Sequence, residues 1–108
     1  MKKILSNAFS IQMLASFPAN VSISQVNASD IPTDVVSCIG HADTANVLTD
    51  MLGFDVPCNR VNVTINADTE LYVAQVTGGR LPEGATKLPE GFEIKFFKVE
   101  VIGGKENG

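Results

Sequence analysis

One histidine, two arginines and a handful of carboxylates and amides hold the reactive chemistry of this chain. His41 stands in Ile39-Gly40-His41-Ala42-Asp43-Thr44. On one side is a β-branched apolar string, Val35 to Ile39; on the other, Asp43 to Leu52 sets Ala45, Val47, Leu48, Met51 and Leu52 at helical spacing. A strand-to-helix turn of this kind aims backbone N–H groups and the positive end of a helix dipole at an anion above it. Histidine ordinarily titrates near neutrality, so an imidazole at that turn can meet a phosphate and give it a proton. The plainer reading is a histidine that caps or packs beside its own helix, and local sequence alone favours it.

Arg60 and Arg80 are the only arginines. Arginine forms paired hydrogen bonds to phosphate better than lysine does, so two isolated arginines at strand ends hint at phosphate recognition. Arg80 lies in Gly78-Gly79-Arg80-Leu81-Pro82-Glu83-Gly84, where flanking glycines let the backbone approach a ligand closely. Glu83, three residues on, can point into the same site; the ordinary alternative is an exposed ion pair worth little. Asn7 and Ser10 are good N-cap residues at the end of a strand, where a ligand could also take their hydrogen bonds, and plain capping explains them equally well.

The elements that must position these groups follow from periodicity. Lys2 to Ser6 reads as a first strand, and Asn7 to about Phe17 as a helix with Phe9, Met13, Leu14 and Phe17 on one face, stopped by Pro18. Val21, Ile23 and Val26 mark a second, half-buried strand, and Asn27 to Asp34 a loop before the strand leading into His41. The helix from Asp43 ends at Gly53, a C-cap residue. Arg60 to Ile65 and Leu71 to Val76 read as the arms of a hairpin around Asn66-Ala67-Asp68-Thr69. From Phe92 to Ile102 the apolar residues change phase between Phe96 and Phe97, which suggests a bulge. The expected fold is a small α/β domain over 1–102, a mixed sheet with two or more helices packed on it, followed by a frayed tail at 103–108.

Composition sets the limits. The 108 residues make one ordinary core, and 44% apolar with 19% charged residues describe a folded chain. A formal charge of -4 argues against a protein that coats nucleic acid, so no duplex DNA partner is expected. The amino-terminal apolar run is too broken, at Ser6, Asn7, Ser10 and Gln12, for a secretory signal. The chain is therefore expected in the cytoplasm with no membrane partner, Cys38 and Cys58 as free thiols, and the apparent glycosylation triplets at Asn20, Asn27 and Asn62 as accidental. Two cysteines and one histidine make a poor zinc set, so no metal or cofactor is expected.

Four motifs, in order, resemble those of the viral anti-CRISPR ring nucleases and their bacterial relatives. They are Asn7-Ala8-Phe9-Ser10, Ile39-Gly40-His41 with Thr44, Asn59-Arg60-Val61, and Arg80-Leu81 with Glu83-Gly84. The resemblance runs from about Lys3 to Val101. It implies a homodimer that degrades cyclic tetra-adenylate, the second messenger of type III CRISPR defence, with the ring bound across the two-fold axis. On this resemblance His41 is the general acid and Glu83 orients or activates the attacking ribose hydroxyl. Arg80 and Arg60 contact the phosphates or the ring, and Asn7, Ser10, Gly40 and Gly79 line the ligand site. The chain departs from the family pattern at Pro82, where relatives carry a glutamate or similar residue. It departs again at Ala85 to Gly91, too short and turn-rich for the helix that follows in relatives, so less complete cover of the ring is expected.

The residue types suit that chemistry. In RNA the 2′-hydroxyl can attack its own neighbouring phosphate and expel the 5′-oxygen, leaving a 2′,3′-cyclic phosphate; the protein then supplies in-line geometry, a proton and charge stabilisation. Two other classes stay open on sequence: a sponge that binds the cyclic nucleotide without cutting it, and a small DNA- or protein-binding dimer of mobile-element origin. A general ribonuclease is a weaker possibility.

Overall fold

The computed structural model describes residues 2–102. The expected tail at 103–108 lies outside them. Five strands form one sheet: β1 (Lys2–Ser6), β2 (Val21–Val26), β3 (Val36–Ser37), β4 (Thr69–Thr77) and β5 (Glu93–Val101), in the order β2-β5-β4-β1-β3. Helix α1 (Ala42–Leu52) joins β3 to β4. β1 runs parallel to both its neighbours, β3 and β4, while β5 is antiparallel to β4 and β2.

β1 shows why the sheet is covered on both faces. Ile4 and Leu5 are successive residues, so they point to opposite sides, and both are fully buried. Leu5 packs with Ile39, Val47, Leu48, Tyr72 and Phe96 on the α1 side; Ile4 packs with Cys38, Ile65, Leu71, Val73 and Val99 on the other. α1 forms because Ala45, Val47 and Leu48, with Met51 and Leu52, give it one apolar stripe, and it stops where Gly53 turns left-handed at φ 80, donating its N–H to the Thr49 carbonyl at 3.1 Å.

The opposite face is covered without a second α-helix. Where the sequence predicts a helix from Asn7 to Phe17 there is one 3₁₀ turn, Ile11–Met13, and the chain then runs extended at Leu14. Leu14 bridges Ile65 in parallel, the Ile65 N–H reaching the Met13 carbonyl at 2.7 Å and the Ala15 N–H the Ile65 carbonyl at 3.1 Å. A helix of this length has weak intrinsic stability, and serine side chains compete for its backbone. Ser6 Oγ exchanges hydrogen bonds with Ala8 at 2.9 and 3.3 Å, and Ser10 accepts from Gln12 at 3.1 Å. Phe9, Met13 and Leu14 still reach the core, as the apolar stripe requires. The sheet thus carries one α-helix, not two or more.

The expected hairpin is also replaced. β4 pairs with β1 on one edge and with β5 on the other, leaving no edge for residues 60–65, which contribute only the bridge at Ile65. β5 has no bulge: its register with β4 and with β2 is unbroken. The phase change is a change of face, Ile94 and Phe96 packing toward α1 and Phe97, Val99 and Val101 toward the other core.

Candidate active site

The carboxyl ends of parallel strands are where α/β sheets hold ligands, and here β1, β3 and β4 all end at one crevice. Asn7 follows β1, His41 follows β3, and Gln75 and Val76 close β4. With Asp43 and Thr44 from the first turn of α1, and Gly79, Arg80, Leu81 and Glu83 from the loop after β4, they line a cleft of about 800 Å³.

His41 is the N-cap of α1, with extended backbone (φ -127, ψ 129). Its carbonyl accepts the first intrahelical bond, from Ala45 at 3.0 Å, but its imidazole makes no capping hydrogen bond. The side chain is exposed at the cleft, so His41 caps the helix through its backbone and not through its imidazole. The strand end beneath it is braced by a polar network. Ser37 Oγ donates to the Pro57 carbonyl at 2.6 Å and accepts from the Ile39 N–H at 3.2 Å, while Asn59 Nδ2 donates to the Ser37 carbonyl at 2.9 Å.

That network places Arg60. Asn59 N–H bonds the Ile39 carbonyl at 2.8 Å, and the aliphatic stem of Arg60 then lies over Gly40, whose missing Cβ would stand 3.3 Å from Arg60 Cγ. Arg60 and Gly40 therefore adjoin His41, outside the lining of the cleft. Arg80 and Glu83 line the cleft from the loop after β4, and among the described residues neither forms an ion pair, with each other or elsewhere. The local Arg80–Glu83 pair considered from sequence is not made.

Two backbone features shape this loop. Gly78 has φ 108, and a Cβ there would meet the Gly91 carbonyl oxygen at 2.7 Å, so only glycine fits where the two ends of the 78–92 connection pass. Beyond Glu83 there are only turns, closed by Ala85 N–H to the Pro82 carbonyl and Phe92 N–H to the Pro89 carbonyl, each at 3.1 Å.

Of the sequence candidates, the cleft gathers Asn7, His41, Gly79, Arg80 and Glu83. Ser10 is not among them: it is exposed and caps the 3₁₀ turn Ile11–Met13. Three polar liners, Asp43, Thr44 and Gln75, have no ligand role in the sequence reading, although Thr44 belongs to the His41 motif. Asp43 and Thr44 are spent, on sequence, as helix starters, though their place just after His41 is a usable signal. Gln75 is the one polar interruption of the apolar run Leu71 to Val76.

Both cysteines are free, Cys58 exposed and Cys38 buried; burial pushes the Cys38 thiol up, with Lys2 opposing. Among the described residues no three His, Cys, Asp or Glu side chains cluster as metal ligands, and no helix is long and apolar enough to cross a membrane.

A family model described as STIV B116-like matches residues 3–99. The chain belongs to the STIV B116-like family. Its fold is similar to that of B116 of Sulfolobus turreted icosahedral virus, with a TM-score of 0.78 and 29% identity, over 93% of this chain and 99% of that one. The match spans the whole cleft, from Asn7 to Glu83. No curated protein matches the sequence.

Proposed function

We propose that this protein is a ring nuclease that cleaves cyclic tetra-adenylate without a metal, leaving linear adenylates with 2′,3′-cyclic phosphate ends. The observation that carries the reading is the cleft itself: an imidazole that makes no capping bond, with a guanidinium and a carboxylate that form no ion pair among the described residues, lines one crevice at the ends of three strands. The ring's 2′-hydroxyl is the nucleophile. His41 protonates the departing 5′-oxygen, Arg80 holds the charge that builds on the phosphoryl oxygens, and Glu83 accepts from or aligns the hydroxyl. Asn7 and Gly79 line the bound ring, and Arg60, seated on Gly40, extends the positive surface beside His41.

The active unit in this reading is a homodimer with the ring across its two-fold axis. A second groove, about 320 Å³ and largely apolar, supports it: Phe9, Ile23, Val73, Phe97 and Val99 line it together with Asn7 and Gln75, which also line the cleft. Ile23 is 57% exposed there, a large apolar side chain that a like surface would cover. Two copies would bring four arginines to four phosphates, which offsets the acidic balance of the chain. The family's match to a viral protein favours a viral antagonist of type III CRISPR signalling, acting in the cytoplasm of the infected cell.

Incubation with cyclic tetra-adenylate in EDTA, with products separated by chromatography, tests the proposal. The expected result is loss of the ring and appearance of linear species with cyclic phosphate ends. Intact ring retained on the protein would make it a sponge, and intact ring left free would end the reading.

A further inference from the structure

The loop that carries Arg80 and Glu83 meets α1 at a long-range polar contact. The Gly84 N–H donates to Asp43 Oδ1 at 2.8 Å, across 41 residues of sequence. Asp43 is half-buried, two residues after His41, so this bond ties together two of the segments that line the cleft. We propose that Asp43 is a positioning residue whose carboxylate holds the Gly84 amide and thereby sets Arg80 and Glu83 in the cleft with His41. This inference rests on the ring-cleavage reading of the cleft.

The geometry makes the bond more than an incidental surface contact. Gly84 has φ 81, with nothing within 4 Å of where a Cβ would stand, so the turn and not crowding calls for glycine there. That turn, closed by Ala85 N–H to the Pro82 carbonyl at 3.1 Å, holds Glu83 one residue before the anchored amide. The other hold is Leu81, buried in the α1 core at 9% exposure. With Leu81 alone the Pro82–Ala85 turn can pivot, and Glu83 moves with it; with Gly84 also held, the segment has two fixed points. Asp43 suits the task because an acid is favoured by the helix dipole in the first turn, and its Oδ1 is the acceptor that meets the loop.

The test compares wild type, Asp43→Ala and Asp43→Asn in steady-state cleavage of cyclic tetra-adenylate, alongside hydrogen exchange at the Gly84 amide. Misplacing a reacting group is expected to lower kcat of Asp43→Ala by about 10 to 100-fold while KM changes by less than about threefold. Asp43→Asn should recover most of kcat, because its amide oxygen accepts the same bond. Gly84 exchange should quicken in the alanine variant and return toward wild type in the asparagine variant. Undiminished kcat in Asp43→Ala overturns the proposal, as does an asparagine variant no better than alanine, which assigns the effect to charge. Should wild type fail to cleave the ring, the functional reading falls by itself; unchanged Gly84 exchange in Asp43→Ala would then overturn the positioning role independently.

Discussion

The two sides of the cleft are built differently. One is the first turn of α1, whose following residues Ala45, Val47 and Leu48 are sealed into the core at 0 to 2% exposure. The other is a glycine-rich loop in which Leu81 is the buried member and Arg80, Glu83 and Gly84 are exposed. The difference matches the proposed tasks. The proposed proton donor stands at a helix end fixed by core packing, whereas the loop that carries Arg80 and Glu83 is fixed by one buried side chain, Leu81, and by the bond from Gly84 to Asp43.

The comparison can be broken at either side. The largest effect is expected at His41: replacement by alanine should remove about 10² to 10⁴ in turnover while ring affinity stays near wild type, as single-turnover rates and equilibrium binding would show. An undiminished rate would take the proton transfer away from α1. Next comes stability. Leu48→Ala should cost about 2 to 5 kcal/mol in urea unfolding, whereas Leu81→Ala should fall at or below the low end of that range because its surroundings can collapse. Equal losses would show the loop to be as much a part of the core as the helix.

Smaller again is the strain of a side chain at Gly78. Its left-handed φ of 108 and the 2.7 Å approach to Gly91 make Gly78→Ala worth about 1 to 2 kcal/mol or more in unfolding free energy. Last, in equilibrium binding alone, Arg80→Ala should weaken ring affinity and lower the salt slope of log K by about 1.4 to 1.8, one phosphate contact from each of the two subunits on the ring. A salt slope that does not move would detach the arginine from the ring.

Much of the fold is legible in local pattern. α1 and its Gly53 stop, β2 by alternation, and β4 and β5 by their β-branched and aromatic runs all lie where periodicity puts them. The errors share a cause. The stripe Phe9, Met13, Leu14, Phe17 satisfies a helical period, yet the chain meets the same demand for burial with one turn and a bridge to Ile65. Arg60 to Ile65 alternates like a strand but finds both edges of β4 occupied. The break of phase in β5 reads as a bulge when one core is assumed and as a regular strand when the sheet has two. In each case the local preference is weak, and partners distant in sequence decide the outcome.

The site divides in the same way. Residue type alone singles out the lone imidazole and the two guanidiniums, because few side chains move a proton near neutrality or grip a phosphate in two places, and there are few of them to choose from. Whether Ser10 joins them or caps its own turn, whether Gln75 faces core or cleft, and whether Asp43 merely starts a helix or reaches Gly84 depend on chain segments far apart in sequence. Periodicity records which face of an element is apolar. It holds no record of which two elements meet, since that is set by the summed burial of the whole sheet, and so only the folded chain brings the imidazole, the guanidinium and the Asp43–Gly84 bond to one cleft.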